Sequence, residues 1–98
     1  MKEVEWRADR VYPQGKNDSE IYRLNWAKWL DGETLVNPPT ITAPAGITAQ
    51  LYAMDASAVH LRVFGGTAGQ TYTVTVRVVS ATHARVDERD FLFQILDQ

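Results

Sequence analysis

At 98 residues the chain is the size of one domain built around one hydrophobic core. Its net charge of −2 is spread over both signs with no basic stripe to follow a phosphate backbone, and the absence of cysteine excludes disulfides, thiol chemistry and thiolate zinc sites. The opening Met1-Lys2-Glu3-Val4-Glu5 lacks the apolar run of a signal peptide, and no later stretch is apolar for long enough to span a bilayer. The expectation is a protein made in the cytoplasm with neither nucleic acid nor membrane as partner.

Residues 1–19 mix charges with a few apolar positions, Val4, Trp6, Val11 and Tyr12, and Pro13 to Ser19 is rich in turn formers. They read as a short first strand plus loop, or as an arm that packs on a neighbouring subunit with Trp6 as its anchor. The folded body is expected over residues 20–98. Ile21 to Leu30 fits two periods, with Tyr22, Leu24 and Trp26 alternating and Tyr22, Trp26, Trp29 and Leu30 on a helical face. Its aromatic content favours a strand to about Trp26, then a tight turn or single helical turn ending at Asp31-Gly32.

Strand signals become regular after that point. Glu33 to Val36 is short and stopped by Asn37-Pro38-Pro39. Thr40 to Ala43 ends at Pro44-Ala45-Gly46, and Ile47 to Met54 leads to a turn at Asp55-Ala56-Ser57. Ala58 to Phe64 alternates, with Val59, Leu61 and Val63 on one face. A glycine-rich turn, Gly65-Gly66-Thr67-Ala68-Gly69-Gln70, precedes the strongest strand, Thr71 to Ser80, in which Tyr72, Val74, Val76 and Val78 share a face. A polar turn near His83 to Glu88 leads to Phe91, Phe93 and Ile95.

About seven short strands punctuated by turns, with two faces of alternating aliphatics, predict an all-β immunoglobulin-like sandwich of the fibronectin III-like kind. Tyr72 follows the glycine turn at the start of a Val-rich strand, where such sandwiches place a tyrosine corner, its phenol bonded to backbone of the preceding connection. Trp26 is expected in the core and Trp29 over one end of it, because a small core can hardly omit so large an apolar surface.

The second face of the late strands carries Phe64, Val79, Leu92 and Leu96. Together they would make an apolar row on an outer face, either covered by the N-terminal segment or forming a subunit interface. Convergent chemistry is hard to assemble. Ser80, His83 and Asp87 have the residue types of a hydrolase triad but lie in one strand-turn-strand connection without an oxyanion hole. Asp87, Glu88 and Asp90 lack a calcium-loop pattern and alternate with Arg85 and Arg89, which neutralise them. The glycine run lacks the Gly-Lys-Ser/Thr ending of a phosphate loop. His60 reads as a surface residue, and Asn17-Asp18-Ser19 is a glycosylation sequon without a secretion signal. No enzyme and no cofactor is expected; a carbohydrate-binding module using Trp29 and Tyr22 is the alternative from another class.

Two blocks carry a family resemblance. Tyr22-Arg23-Leu24-Asn25-Trp26-Ala27-Lys28-Trp29-Leu30-Asp31-Gly32-Glu33-Thr34-Leu35 is the first. Gly65-Gly66-Thr67-Ala68-Gly69-Gln70-Thr71-Tyr72-Thr73-Val74, followed by Asp87-Glu88-Arg89-Asp90-Phe91, is the second. They resemble a family of small bacteriophage virion proteins described as fibre–tail adaptor or Ig-like tail proteins, over about residues 16–96. That family has Tyr-x-hydrophobic-Asp-Trp-x-x-Trp/Tyr-Leu, then Gly-Gly-Thr-x-Gly-x-x-Tyr-x-Val. The chain departs from it at Asn25, where the family has aspartate, at Ala84-Arg85, where it has Gly-Arg, and at Asp90, where it has serine. No charged contact is carried over to those positions.

The resemblance implies a non-enzymatic structural protein of the tail or head-tail region that joins fibres or other virion proteins, with a homo-oligomer as a further expectation. Trp6, Phe64, Val79, Leu92 and Leu96 are the candidate interface. Trp26, Tyr72, Gly65, Gly66 and Gly69 are the candidate structural residues.

Overall fold

The structure is a computed structural model and describes residues 2–4, 6 and 10–97. Its elements in chain order are β1 (Lys2–Val4), β2 (Val11–Gly15), β3 (Ser19–Asn25), α1 (Ala27–Leu30), β4 (Thr40–Thr42), β5 (Ile47–Met54), β6 (Ala58–Gly65), β7 (Thr71–Val79) and β8 (Val86–Leu96). They form two four-stranded sheets in the orders β1-β3-β6-β5 and β2-β8-β7-β4. The sheets pack face to face, so the architecture is the all-β sandwich that the alternating sequence predicts.

Parity decides which side chains meet. Tyr22 and Leu24 of β3 and Val59, Leu61 and Val63 of β6 point inward from the first sheet. Val74, Val76 and Val78 of β7 and Phe91, Phe93 and Ile95 of β8 point inward from the second; all are buried. Each such side chain removed from water contributes roughly 1.5–3 kcal/mol before entropy is counted. Tyr22 and Phe93 pack with ring centroids 5.0 Å apart, and Tyr12 lies 5.8 Å from Phe93, so aromatics fill the space between sheets near β2.

One polar bridge crosses this apolar layer. The Tyr22 hydroxyl donates to Gln14 Oε1 at 2.7 Å, and Gln14 Nε2 donates to the Val63 carbonyl at 2.9 Å. Both partners are buried, and each group is satisfied, as a buried amide requires. Burial, with Glu20 and Asp18 adding to it, pushes the Tyr22 phenol well above its ordinary pKa.

The structure differs from the sequence reading at three places. Pro13 to Gly15 is strand, not turn: β2 runs parallel to β8 with Tyr12 and Gln14 inward. Proline is tolerated there because β2 is an edge strand. The turn expected over His83 to Glu88 is shorter, since β8 begins at Val86 and pairs it with Val79. The expected Glu33–Val36 segment reduces to one bridge, Leu35 with Ser80.

The residues before β3 add an edge strand to each sheet, β1 parallel to β3 and β2 parallel to β8. The strand to Asn25 followed by one helical turn matches the periodicity of residues 21–30. Asn25 Oδ1 accepts the Ala27 N–H at 2.8 Å to start that turn. Asp31 at φ 49° and Gly32 at φ 91° end it in the left-handed region.

Candidate protein-binding surface

The outer face of the second sheet follows from the same parity. Val79 and Val86 are directly opposed in the β7–β8 ladder, and the Val36 N–H donates to the Val79 carbonyl at 2.9 Å. Val36, Val79 and Val86 therefore form a short outward row, with Val36 and Val86 42% and 48% exposed. At the other end of the sheet Leu92 is registered with Val11 and Leu96 with Gly15, and Pro13 lies between them on the same side. Val11 is exposed, while Leu92 and Leu96 are half-buried. Between the two clusters the ladder pairs Arg77 with Glu88 and Thr75 with Asp90, and the Thr75 hydroxyl donates to Asp90 Oδ1 at 2.7 Å.

The expected single apolar row of Phe64, Val79, Leu92 and Leu96 is thus not one surface. Phe64 lies in β6 of the other sheet, paired with Ser19 and Thr48, with Arg62 6.0 Å from its ring centroid. Val79 is separated from Leu92 by the charged band. Sequence parity identifies which residues point outward but not which sheet each strand joins.

The residues expected to be structural cluster at two ends. At one end, the Tyr72 hydroxyl accepts the Thr67 N–H at 3.0 Å, spanning five residues of the glycine-rich turn. Gly66, at φ 93°, has no room for a side chain: a Cβ there would meet Ile95 Cγ1 at 2.6 Å and the Tyr72 ring at 3.2 Å. Gly65 closes β6, and the Gly69 N–H donates to the Ile95 carbonyl at 2.8 Å. At the opposite end Trp26 is 1% exposed and its Nε1–H donates to Asp87 Oδ2 at 2.9 Å.

Arginines and tryptophans interleave beside Trp26. The Arg89 guanidinium lies 4.9 Å from the Trp26 ring and 5.0 Å from the Trp6 ring, and its Nε bonds Asp87 Oδ2 at 2.7 Å. Trp6, half-buried, also donates Nε1–H to the Asp90 carbonyl at 3.0 Å. Trp6 thus packs on its own chain's β8. Arg85 stacks 4.6 Å from the Trp29 ring and binds Glu33, which also accepts the His83 N–H at 2.9 Å. Hydrogen bonding to Arg85 leads the causes that hold the Glu33 carboxyl down at about 2. A cleft of ≈ 530 Å³ opens beside Trp6, Trp29, Asn25 and Arg89.

The other candidate side chains are engaged in contacts of their own. Ser80 is 1% exposed and its Oγ accepts the Arg85 N–H, Asp87 is bonded to Trp26, and His83 faces Glu33, so the three do not converge. Among the described residues no group of three or more histidine or acidic side chains is placed to hold a metal. Tyr22 is 2% exposed, so it cannot pair with Trp29 as a platform for a sugar ring; Trp29 is half-buried, with Arg85 stacked on its ring.

The sequence pattern of the family described as podophage GP4 fiber-tail adaptor protein gp77 matches residues 15–94, from the end of β2 to Gln94 in β8. The chain belongs to that family. The match takes in both resemblance blocks, the tyrosine corner and the Trp26 end, and it gives this adaptor a structural role in a phage tail. No curated protein matches the sequence. Among solved structures, the endo-fucoidan hydrolase MfFcnA4 from glycoside hydrolase family 107 and a point variant of it superpose at TM-score 0.58 with 17% identity. They align over 90% of the adaptor, which spans 13% of their length. That likeness is one of fold and covers a sandwich portion of a much longer protein.

Proposed function

We propose that this adaptor is a non-enzymatic virion component, made in the host cytoplasm, that holds a fibre protein and a tail protein at the two ends of its second sheet. What supports this reading is the division of the outer face. The Val36–Val79–Val86 row and the Val11–Pro13–Leu92–Leu96 cluster are separate, with the Arg77–Glu88 and Thr75–Asp90 pairs between them. Val86 and Leu92 are six residues apart on one strand, about 20 Å at about 3.4 Å per residue, so the two clusters are distinct patches. A protein that joins two others needs two docking surfaces, and a polar band between them keeps each selective.

The test is binding of the purified full chain to fibreless tails and to isolated fibres. Leu92→Asp and Val86→Asp each place a charge in one cluster while leaving the inward side chains untouched. Each variant should keep the far-ultraviolet circular dichroism of the parent and lose one partner only. If both variants bind both partners as the parent does, the outer face of the second sheet is not the docking surface.

A further inference from the structure

Four strands lie at sheet edges: β1 and β5 in the first sheet, β2 and β4 in the second. Exposed edges are templates for unwanted pairing, and proteins guard them with short length, charge or proline. Three of these edges are guarded. β1 has three residues and carries Lys2 and Glu3. β4 has three residues between Pro39 and Pro44. β2 carries Pro13.

The fourth is different. β5 runs eight residues, Ile47 to Met54, without a charge or a proline, and Gln50 to Ala53 are exposed in succession. Leu51 and Tyr52 are 37% and 55% exposed. Among the described residues no backbone hydrogen bond from another element reaches its outer edge. A bulge after Leu51 disturbs only the last part of the strand, so Ile47 to Leu51 keeps an unbroken register with β6.

We propose that the β5 edge pairs antiparallel with β5 of a second copy of this chain, joining the two first sheets across a two-fold axis at Ala49. The pairing is self-complementary by face, and β5 carries no charge that its own copy would oppose. Ile47, Ala49 and Leu51 share the face that meets Val63 and Leu61 of β6, while Thr48 and Gln50 share the other. Centring on Ala49 sets Ile47 opposite Leu51 of the second copy and Thr48 opposite Gln50, so apolar meets apolar and amide meets hydroxyl on the correct sides. The exposed Leu51 side chain gains a neighbour, and no like charges are opposed. The inference goes beyond the adaptor reading and does not depend on which virion proteins are joined.

The chain has no cysteine, so Ala49→Cys introduces a single thiol. Directly opposed residues of an antiparallel pair lie about 4.5–5.5 Å apart between Cα atoms, within the range a disulfide spans. Light scattering of the parent should show twice the 11.0 kDa chain mass. Mild oxidation should convert Ala49→Cys to a covalent dimer while Thr73→Cys, on the far sheet, stays uncrosslinked. Leu51→Lys, which puts a charge into the seam, should run as a folded monomer. A parent that stays at 11.0 kDa, including one whose β5 amides become protected only when a fibre or tail protein is added, overturns the proposal. So does a dimer in which Ala49→Cys fails to cross-link, since its interface lies elsewhere.

Discussion

Arg85 and Glu33 are joined at a single carboxylate oxygen: Arg85 Nε is 2.9 Å and Nη2 2.6 Å from Glu33 Oε2. The same guanidinium donates to the Trp29 carbonyl at 3.1 Å and to the Leu30 carbonyl at 2.9 Å. Those are among the last carbonyls of α1, which a helix cannot satisfy internally. One side chain from the β7–β8 turn therefore completes the helical turn, stacks on Trp29 and holds the segment that follows it.

A lysine cannot repeat this arrangement, because its ammonium has no planar fork and no ring-stacking face. Arg85→Lys should leave the sandwich folded but free the helical turn. Thermal unfolding is expected roughly 5–10 °C lower, on the scale of one to two lost hydrogen bonds in a domain this size. Trp29 fluorescence should shift toward that of a solvated indole. An unchanged melting temperature would show that the carbonyl contacts contribute nothing.

The Glu33 carboxyl, held at about 2 chiefly by its hydrogen bond to Arg85, gives the contact a pH signature. A folded-state pKa below the ordinary value near 4.5 means that the stabilisation is complete above about 4.5 and is lost as pH falls through about 2. The parent should therefore be more stable than Glu33→Gln at pH 7, with the gap closing steadily between about 4.5 and 2. Urea midpoints measured across that range read the gap directly. A gap constant with pH would remove the charge from the account.

Alternation was enough to place the inward residues of β6, β7 and β8, because a half-buried strand writes its burial with period two. The end of the strand near Trp26 and the break at Asp31-Gly32 are also legible, while the sequence leaves a tight turn and the observed helical turn both open between them. Residues 11–15 are not legible. Val11-Tyr12-Pro13-Gln14-Gly15 looks like a loop because proline and glycine punctuate it, and its strand state depends on a parallel partner some 80 residues later in the chain. For the same reason the expected outer-face row divides between the two sheets. Phe64 and Leu92 have the right parity, but sheet membership comes from long-range pairing that local pattern does not encode.

The tyrosine corner should be worth one hydrogen bond. Tyr72→Phe removes the acceptor of the Thr67 N–H without changing shape, for a cost of about 0.5–1.5 kcal/mol. Gly46→Ala should cost more at the same corner. Gly46 has φ 101° and a Cβ would sit 3.2 Å from the Tyr72 ring, so strain of about 1–3 kcal/mol adds to the crowding. The Cm values of both variants, taken at constant m, test this order. Equal midpoints for Gly46→Ala and the parent would mean the turn relaxes freely.

Trp6 and Trp26 flank Arg89 at nearly equal distances, yet the two indoles should differ widely in what their loss does. Trp26 is 1% exposed and packs edge-on to Phe91 at 6.4 Å, so Trp26→Ala opens a cavity between the sheets and strands Asp87 without one of its donors. That change should cost about 3–5 kcal/mol, a large share of the roughly 5–15 kcal/mol that holds a domain together. Trp6 gives up a stacking contact and one hydrogen bond at the surface, on the order of 1 kcal/mol. Hydrogen exchange separates the two losses better than melting does. Trp6→Ala should accelerate exchange of the Val4 amide on β1 while β7 and β8 keep their protection, because only an edge strand is released. Faster exchange throughout β7 and β8 would instead make Trp6 part of the core that holds both sheets.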